Sequence, residues 1–190
     1  MRLKYLAAAV AAIAVSSASA TDSEYWSAFE ETFAHLDATT ASLVDTMNDD
    51  GYSRVANDVW GSVYHEDDDG ALGLFVDQYA GEEGEGTSGA ITDAALNGNT
   101  WSSEEWYSEP GYETYNIYLG GGLDGTAQTD TLNDGDNVTE AGGYLWESND
   151  APGISGGIGL DVLGYDFGED GSGVGFSADG DLFGQWENFY

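Results

Sequence analysis

The sequence predicts a mainly β protein: an antiparallel sandwich or small barrel of about seven or eight short strands, with an amphipathic helix at its N-terminus. Three observations carry that prediction. Past residue 51 the apolar residues recur at every second position in short runs, and Asp/Gly-rich turns separate the runs. All 28 glycines fall after residue 20, a load that favours bends and close strand contacts over helices. Ahead of residue 51 the apolar spacing is instead three, four and seven.

The chain divides into three parts. Residues 1–20, MRLKYLAAAVAAIAVSSASA, have a basic head at Arg2 and Lys4 and an apolar run from Leu6 to Val15. Ala18-Ser19-Ala20 then offers small residues at a cleavage site. That is the pattern of a cleaved signal peptide, and the apolar run is too short to span a bilayer. It places the mature protein in the periplasm, on the cell surface or outside the cell. Residues 21–50 form the helical segment: Trp26, Phe29, Phe33, Leu36, Leu43 and Met47 share one helical face from 22 to 48, and Asn48-Asp49-Asp50-Gly51 ends it. Residues 51–190 form a β-rich domain packed with that helix.

Within the β-rich part, SRVANDVWGSVYH (53–65) is followed by a turn at Glu66-Asp67-Asp68-Asp69-Gly70 and by the alternating ALGLFVDQYA (71–80). GEEGEGTSG reads as a loop, GAITDAALNG (89–98) as a strand and 99–112 as irregular chain ending at Pro110-Gly111. TYNIYLGGGL (114–123) is the clearest strand. TAQTDTLNDGDNVTE (126–140) is polar, with a turn at Asn133-Asp134-Gly135-Asp136. GGYLWES (142–148) and GISGGIGLDVLGYDFG (153–168) follow as strands. The tail reads as a hairpin about Ala178-Asp179-Gly180-Asp181.

Charge excludes whole classes of function. The chain carries 36 acids against three Lys and Arg, a net −33. Loss of residues 1–20 removes two cations and no acid, leaving −35 with Arg54 as the one Lys or Arg. Nucleic acid and anionic lipid would repel such a surface. Screening falls from about 8 Å at physiological salt to about 3 Å at 1 M, so salt should favour the folded state, in the manner of a halophilic adaptation. The absence of cysteine removes disulfides, thiolate catalysis and zinc–thiolate sites. Twenty-five aromatics spread along the chain argue for a packed fold despite the charge.

Candidate sites follow from residue type. The segment WSSEEWYSEPGYETY interleaves aromatics with carboxylates, and Trp101, Trp106, Tyr107 and Tyr112 are the candidate ligand contacts. A face of flat aromatics with hydrogen-bonding neighbours suits a carbohydrate or protein surface. The acidic turns supply oxygen ligands for Ca²⁺ at Asp67, Asp69, Asp134 and Asp136, although none has the helix–loop–helix calcium spacing. Glu104, Glu105, Glu109 and Glu113 lie among the aromatics, as the paired carboxylates of glycosidases do. His35 and His65 are the only histidines, and no nucleophile elbow or phosphate loop occurs. The expectation is an exported, acidic, non-enzymatic protein that acts by binding or assembly and has no cofactor other than Ca²⁺. The competing readings are a small outer-membrane barrel, favoured by the aromatic C-terminus, and a hydrolase using paired carboxylates.

Overall fold

In the computed structural model, which describes residues 4–7, 23–46 and 50–190, every regular element is a β-strand. The strands are β1 (Lys4–Ala7), β2 (Glu24–Val44), β3 (Tyr52–Glu66), β4 (Gly70–Glu85), β5 (Ser88–Glu109), β6 (Tyr112–Thr131), β7 (Asp136–Ala151), β8 (Ile154–Gly168) and β9 (Gly171–Phe189). They form two antiparallel sheets: a front sheet in the order β1-β2-β5-β6-β9 and a back sheet in the order β3-β4-β7-β8. Of the two expected β forms, this is the sandwich. No ladder joins β2 to β3 or β8 to β9, so the strands do not close into one sheet. No helix among the described residues is long and apolar enough to cross a membrane.

The expected N-terminal helix is corrected to a strand. Glu24–Val44 pairs with β5 over its whole length, from Glu24↔Ser108 to Val44↔Ser88. The helical spacing competes with an alternation of small and apolar residues: Ala28, Thr32, Ala34, Leu36, Ala38 and Thr40 all lie on the inward side. Phe29 and Phe33, assigned to the helix's buried stripe, point outward and are 44% and 48% exposed. The chain elsewhere offers a full-length sheet edge, and that pairing overrides a helix weakened by Thr39-Thr40. Met47 lies outside the described residues. So does most of the expected leader, of which only Lys4–Ala7 is described, paired with Ala34–Asp37 of β2.

The strands are also longer than expected. Residues 99–109 continue β5, and the turn comes only at Pro110-Gly111, where Gly111 has φ +86°. Residues 81–89 hold the end of β4 and the start of β5 with a two-residue turn between them. The expected hairpin about Asp179-Gly180 is absent: β9 runs straight through it, held by an unbroken register on β6 from Tyr112↔Phe189 to Asp130↔Gly171. Asp179 and Asp181 project to solvent from that strand, so turn-forming residue types are accommodated without a turn.

The chain path is regular. It makes a hairpin in one sheet, crosses to the other, and makes the next hairpin there. The within-sheet turns (67–69, 110–111, 152–153) therefore gather at one end, the hairpin end. The crossings from β2 to β3, at 86–87, at 132–135 and at 169–170 gather at the other. Between the sheets lies an apolar centre that includes Leu36, Leu72, Leu74, Leu96, Leu123 and Leu145. Toward the crossing end the filling becomes polar: Gln78 Nε2 donates to the carbonyls of Asp93 and Gln128 while its Oε1 is left without a partner, and Thr129, Thr139 and Ser172 bond one another. Glu82 accepts N–H groups from Gly89 and Asn133 and the Asn133 side chain, tying two crossings together. Burial raises its pKa, but the donors outweigh burial and hold it below the ordinary glutamate value.

Candidate functional site

Pairing register brings the aromatic residues into rows across the strands. On the inner side of the front sheet, Trp26, Trp106, Tyr115 and Trp186 stand in one row, each opposite the next. Trp106 and Tyr115 have ring centroids 6.1 Å apart, and Tyr115 and Trp186 5.8 Å. The Trp106 indole N–H donates to Glu113 at 2.9 Å. This row closes the hairpin end of the sandwich.

The next rows on this side bring in carboxylates, Glu104 in the first and the more exposed Glu30 in the second. Glu30 and Glu104 face inward from the front sheet and Glu147 from the back sheet, by the alternation of their strands. The first two border a cleft of about 330 Å³ lined by Trp26, Glu30, Asp69, Ser102, Glu104 and Asn149, among others. Glu147 is 7% exposed. Burial pushes its pKa up to about 7, hydrogen bonds from Thr100 and Ser102 restrain the rise, and the nearby charges of Asp67 and Glu30 add to it. Burial likewise raises Glu104, against a hydrogen bond from Asn149 and with Asp69 and Glu30 adding to the rise. At neutral pH Glu147 thus divides between acid and carboxylate, the condition general acid–base groups require.

The outer side of the front sheet has a different character. At its hairpin-end half Tyr25, Phe29, Trp101, Tyr107, Tyr112 and Tyr118 project outward. The Trp101 ring lies across the backbone of Gly120, where any Cβ would fall inside the ring. The Tyr107 hydroxyl donates to Glu109 and the Tyr112 hydroxyl to Glu187, at 2.9 and 3.1 Å. Tyr112 lies 6.3 Å from Tyr107 and 5.0 Å from Phe189, and Tyr118 lies 4.9 Å from Phe183, between ring centroids. The result is a flat aromatic surface edged by carboxylates.

Of the four candidate contact residues, Trp101, Tyr107 and Tyr112 share this outer face, while Trp106 belongs to the inner row. Two signals in the sequence separate them: Trp106 is an even step from Glu104, Ser102 and Thr100, and Tyr107 an odd one. Of the four candidate carboxylates, only Glu104 lines the cleft, and the facing sheet buries a second carboxylate of raised pKa. That second group, Glu147, was not among them, because its strand reads as ordinary alternation and its burial comes from the opposite sheet.

The candidate calcium ligands are not brought together. Asp67 and Asp69 sit in the β3–β4 turn at the hairpin end, and Asp134 and Asp136 at the crossing end. Asp67 Oδ1 accepts the N–H groups of Asp69 and Gly70, and its Oδ2 pairs with His65 at 3.2 Å. Burial raises the Asp67 pKa, but these bonds outweigh it and the net shift is downward. Its oxygens are thus committed to the turn. Among the described residues no group of three or more His, Asp or Glu is placed to hold a metal ion. His35 lies elsewhere, with Nδ1 2.7 Å from Asn97 Oδ1. No known family model matches the chain, and no curated protein sequence matches it.

Proposed function

We propose that this is an exported, non-enzymatic contact protein of the cell envelope or extracellular space, which binds hydroxyl-rich carbohydrate polymers through the outer aromatic face of the front sheet. The observation that carries this reading is the row-by-row projection of Tyr25, Phe29, Trp101, Tyr107, Tyr112 and Tyr118 from one flat side, with Glu109 and Glu187 bonded to the tyrosine hydroxyls. Such rings offer stacking planes at low entropic cost, and the fixed carboxylates offer hydrogen-bond acceptors beside them. Tyr107 and Tyr112 are exposed enough that truncation leaves the core intact. Replacing both by Ala should lower retention on insoluble polysaccharides about tenfold or more while the cooperative melt persists. Unchanged retention, or retention equal to that of a bare acidic protein, would sink the reading. Trp106→Ala should instead lower stability, because its ring fills the inner row.

A second reading rests on a separate observation, the cleft that Glu104 lines beside Trp26, with the part-protonated Glu147 buried on the facing sheet outside its lining. A glycoside hydrolase needs such a pair. Hydrolysis of a polysaccharide that vanishes in Glu147→Gln would favour this reading over simple binding. Fractionation of expressing cells into medium, periplasm and outer membrane tests the export common to both.

A further inference from the structure

The two sides of the sandwich are not alike. On β8 no residue is buried, and on β9 only Ser172 is. Ile158, Leu160, Val162, Val174 and Phe176 point inward from these strands and pack on the core, yet remain partly exposed. Both strands are long, regular and without bulges in their registers, and neither contains Lys or Pro. Bulges, Lys and Pro are devices by which natural proteins block free strand edges, and these are absent here; the one inward-facing charge on this side is Asp166 of β8, whose carboxylate accepts the Gly173 N–H of β9 at 2.9 Å. The opposite side is bounded by β3 and by β2, whose edge is covered by β1 only at Ala34–Asp37.

We propose that a second copy of this chain docks on the open β8/β9 side with its own β2/β3 side, so that copies add head to tail into a filament with two continuous antiparallel sheets. Strand direction permits it in both sheets at once. Because neighbours alternate along each sheet, β9 runs opposite to β2, and β8 opposite to β3. Translation along the sheet therefore makes both new pairs antiparallel without turning the molecule over.

Register and facing agree as well. Continuing the existing rows sets Trp186 opposite Trp26 of the next copy and extends the inner aromatic row without a break. The same rows set Phe176 against Leu36 and Val174 against Ala38 of the next copy. In the back sheet, Val162 meets Val63 and Tyr165 meets Trp60 of the next copy. Inward residues meet inward residues in both sheets, which a one-residue slip would forbid. One row opposes two carboxylates, Asp181 and Glu31, so the join is screened into stability by salt. Each copy contributes four long strands to each sheet, an advance of about 19 Å at the usual strand spacing. A head-to-tail contact of this kind does not close on itself. Because β1 lies within the expected leader, cleavage after Ala20 would free the β2 edge, so that export precedes assembly.

The test uses protein purified from expressing cells, in about 1 M NaCl, a salt that shortens screening to about 3 Å. Sedimentation velocity and electron microscopy should show filaments, with a fibre-diffraction spacing near 4.8 Å along the axis. Tyr165→Asp with Phe183→Asp blocks one side, and Phe29→Asp with Trp60→Asp blocks the other; all four side chains are exposed in the single copy. Each double variant alone should be monomeric, and their mixture should form one-to-one dimers and stop there, which also shows that both are folded. Ile91→Asp, on the outer face of β5 away from both sides, should still form filaments. A wild-type chain that stays monomeric at high salt overturns the proposal. So does a Phe29→Asp/Trp60→Asp chain that dimerises alone, since that would be a two-fold β8/β9 contact. Tyr107 and Tyr112 lie on β5 and β6, away from either join, so the carbohydrate reading and this one can fail separately.

Discussion

Single residues here owe their chemistry to which sheet face they occupy. Glu82 and Glu147 are both buried glutamates, yet one is held low by N–H donors and the other driven up to about 7 by burial and neighbouring acids. The stability consequence of Glu147 has a definite sign. Its folded pKa lies above the unfolded value of 4.5, so its contribution is fully present below 4.5 and lost as pH rises toward 7. Glu147→Gln should therefore flatten the fall of Tm across that window and raise Tm by a few degrees at pH 8, measured by thermal melts against pH. A melt profile identical to wild type would show that Glu147 is solvated in solution. The aromatic candidates divide in the same way: Tyr107 and Trp106 are adjacent in sequence, and the strand's alternation sends one to solvent and the other into the interior.

At the scale of the element, long unbroken ladders explain both what was legible and what was not. The turns at 67–69, 110–111 and 133–135 were legible because Asp, Asn, Gly and Pro concentrate there. Gly111 is the clearest, since its φ of +86° suits glycine. Gly111→Ala should cost about 1 kcal/mol, read as a lower urea midpoint at unchanged slope. The strand nature of β2 was not legible, because Trp26, Phe29, Phe33 and Leu36 satisfy helical spacing, and only β5, whose paired residues lie 44 to 84 positions away in sequence, supplies the competing partner. The same physics erased the hairpin expected at Asp179-Gly180: a local turn signal loses to a 19-residue register on β6.

At the scale of the whole molecule, charge and architecture pull against each other. The only Lys or Arg among the described strands past residue 20 is Arg54, which meets Glu83 at 3.6 Å on the surface, a pair worth at most about 1 kcal/mol. Raising NaCl from about 0.1 to 1 M should raise Tm by several degrees and strengthen filament joins together, because screening acts on both. A salt-independent Tm would mean that the carboxylates are too far apart, or too well hydrated, to matter.

Composition, alternation and turn chemistry by themselves determined that this chain is β-rich, acidic, free of thiol chemistry and punctuated at nearly the right places, since these are local properties of residues and their neighbours. Only the tertiary structure decided which strands pair, how far each runs, and which aromatics face the interior. Pairing partners lie tens of residues apart, and their ladder energy is invisible to any local window. The carboxylate cleft and the open β8/β9 side belong to that second class: each exists only because two sheets, fixed by long-range pairing, place their ends side by side.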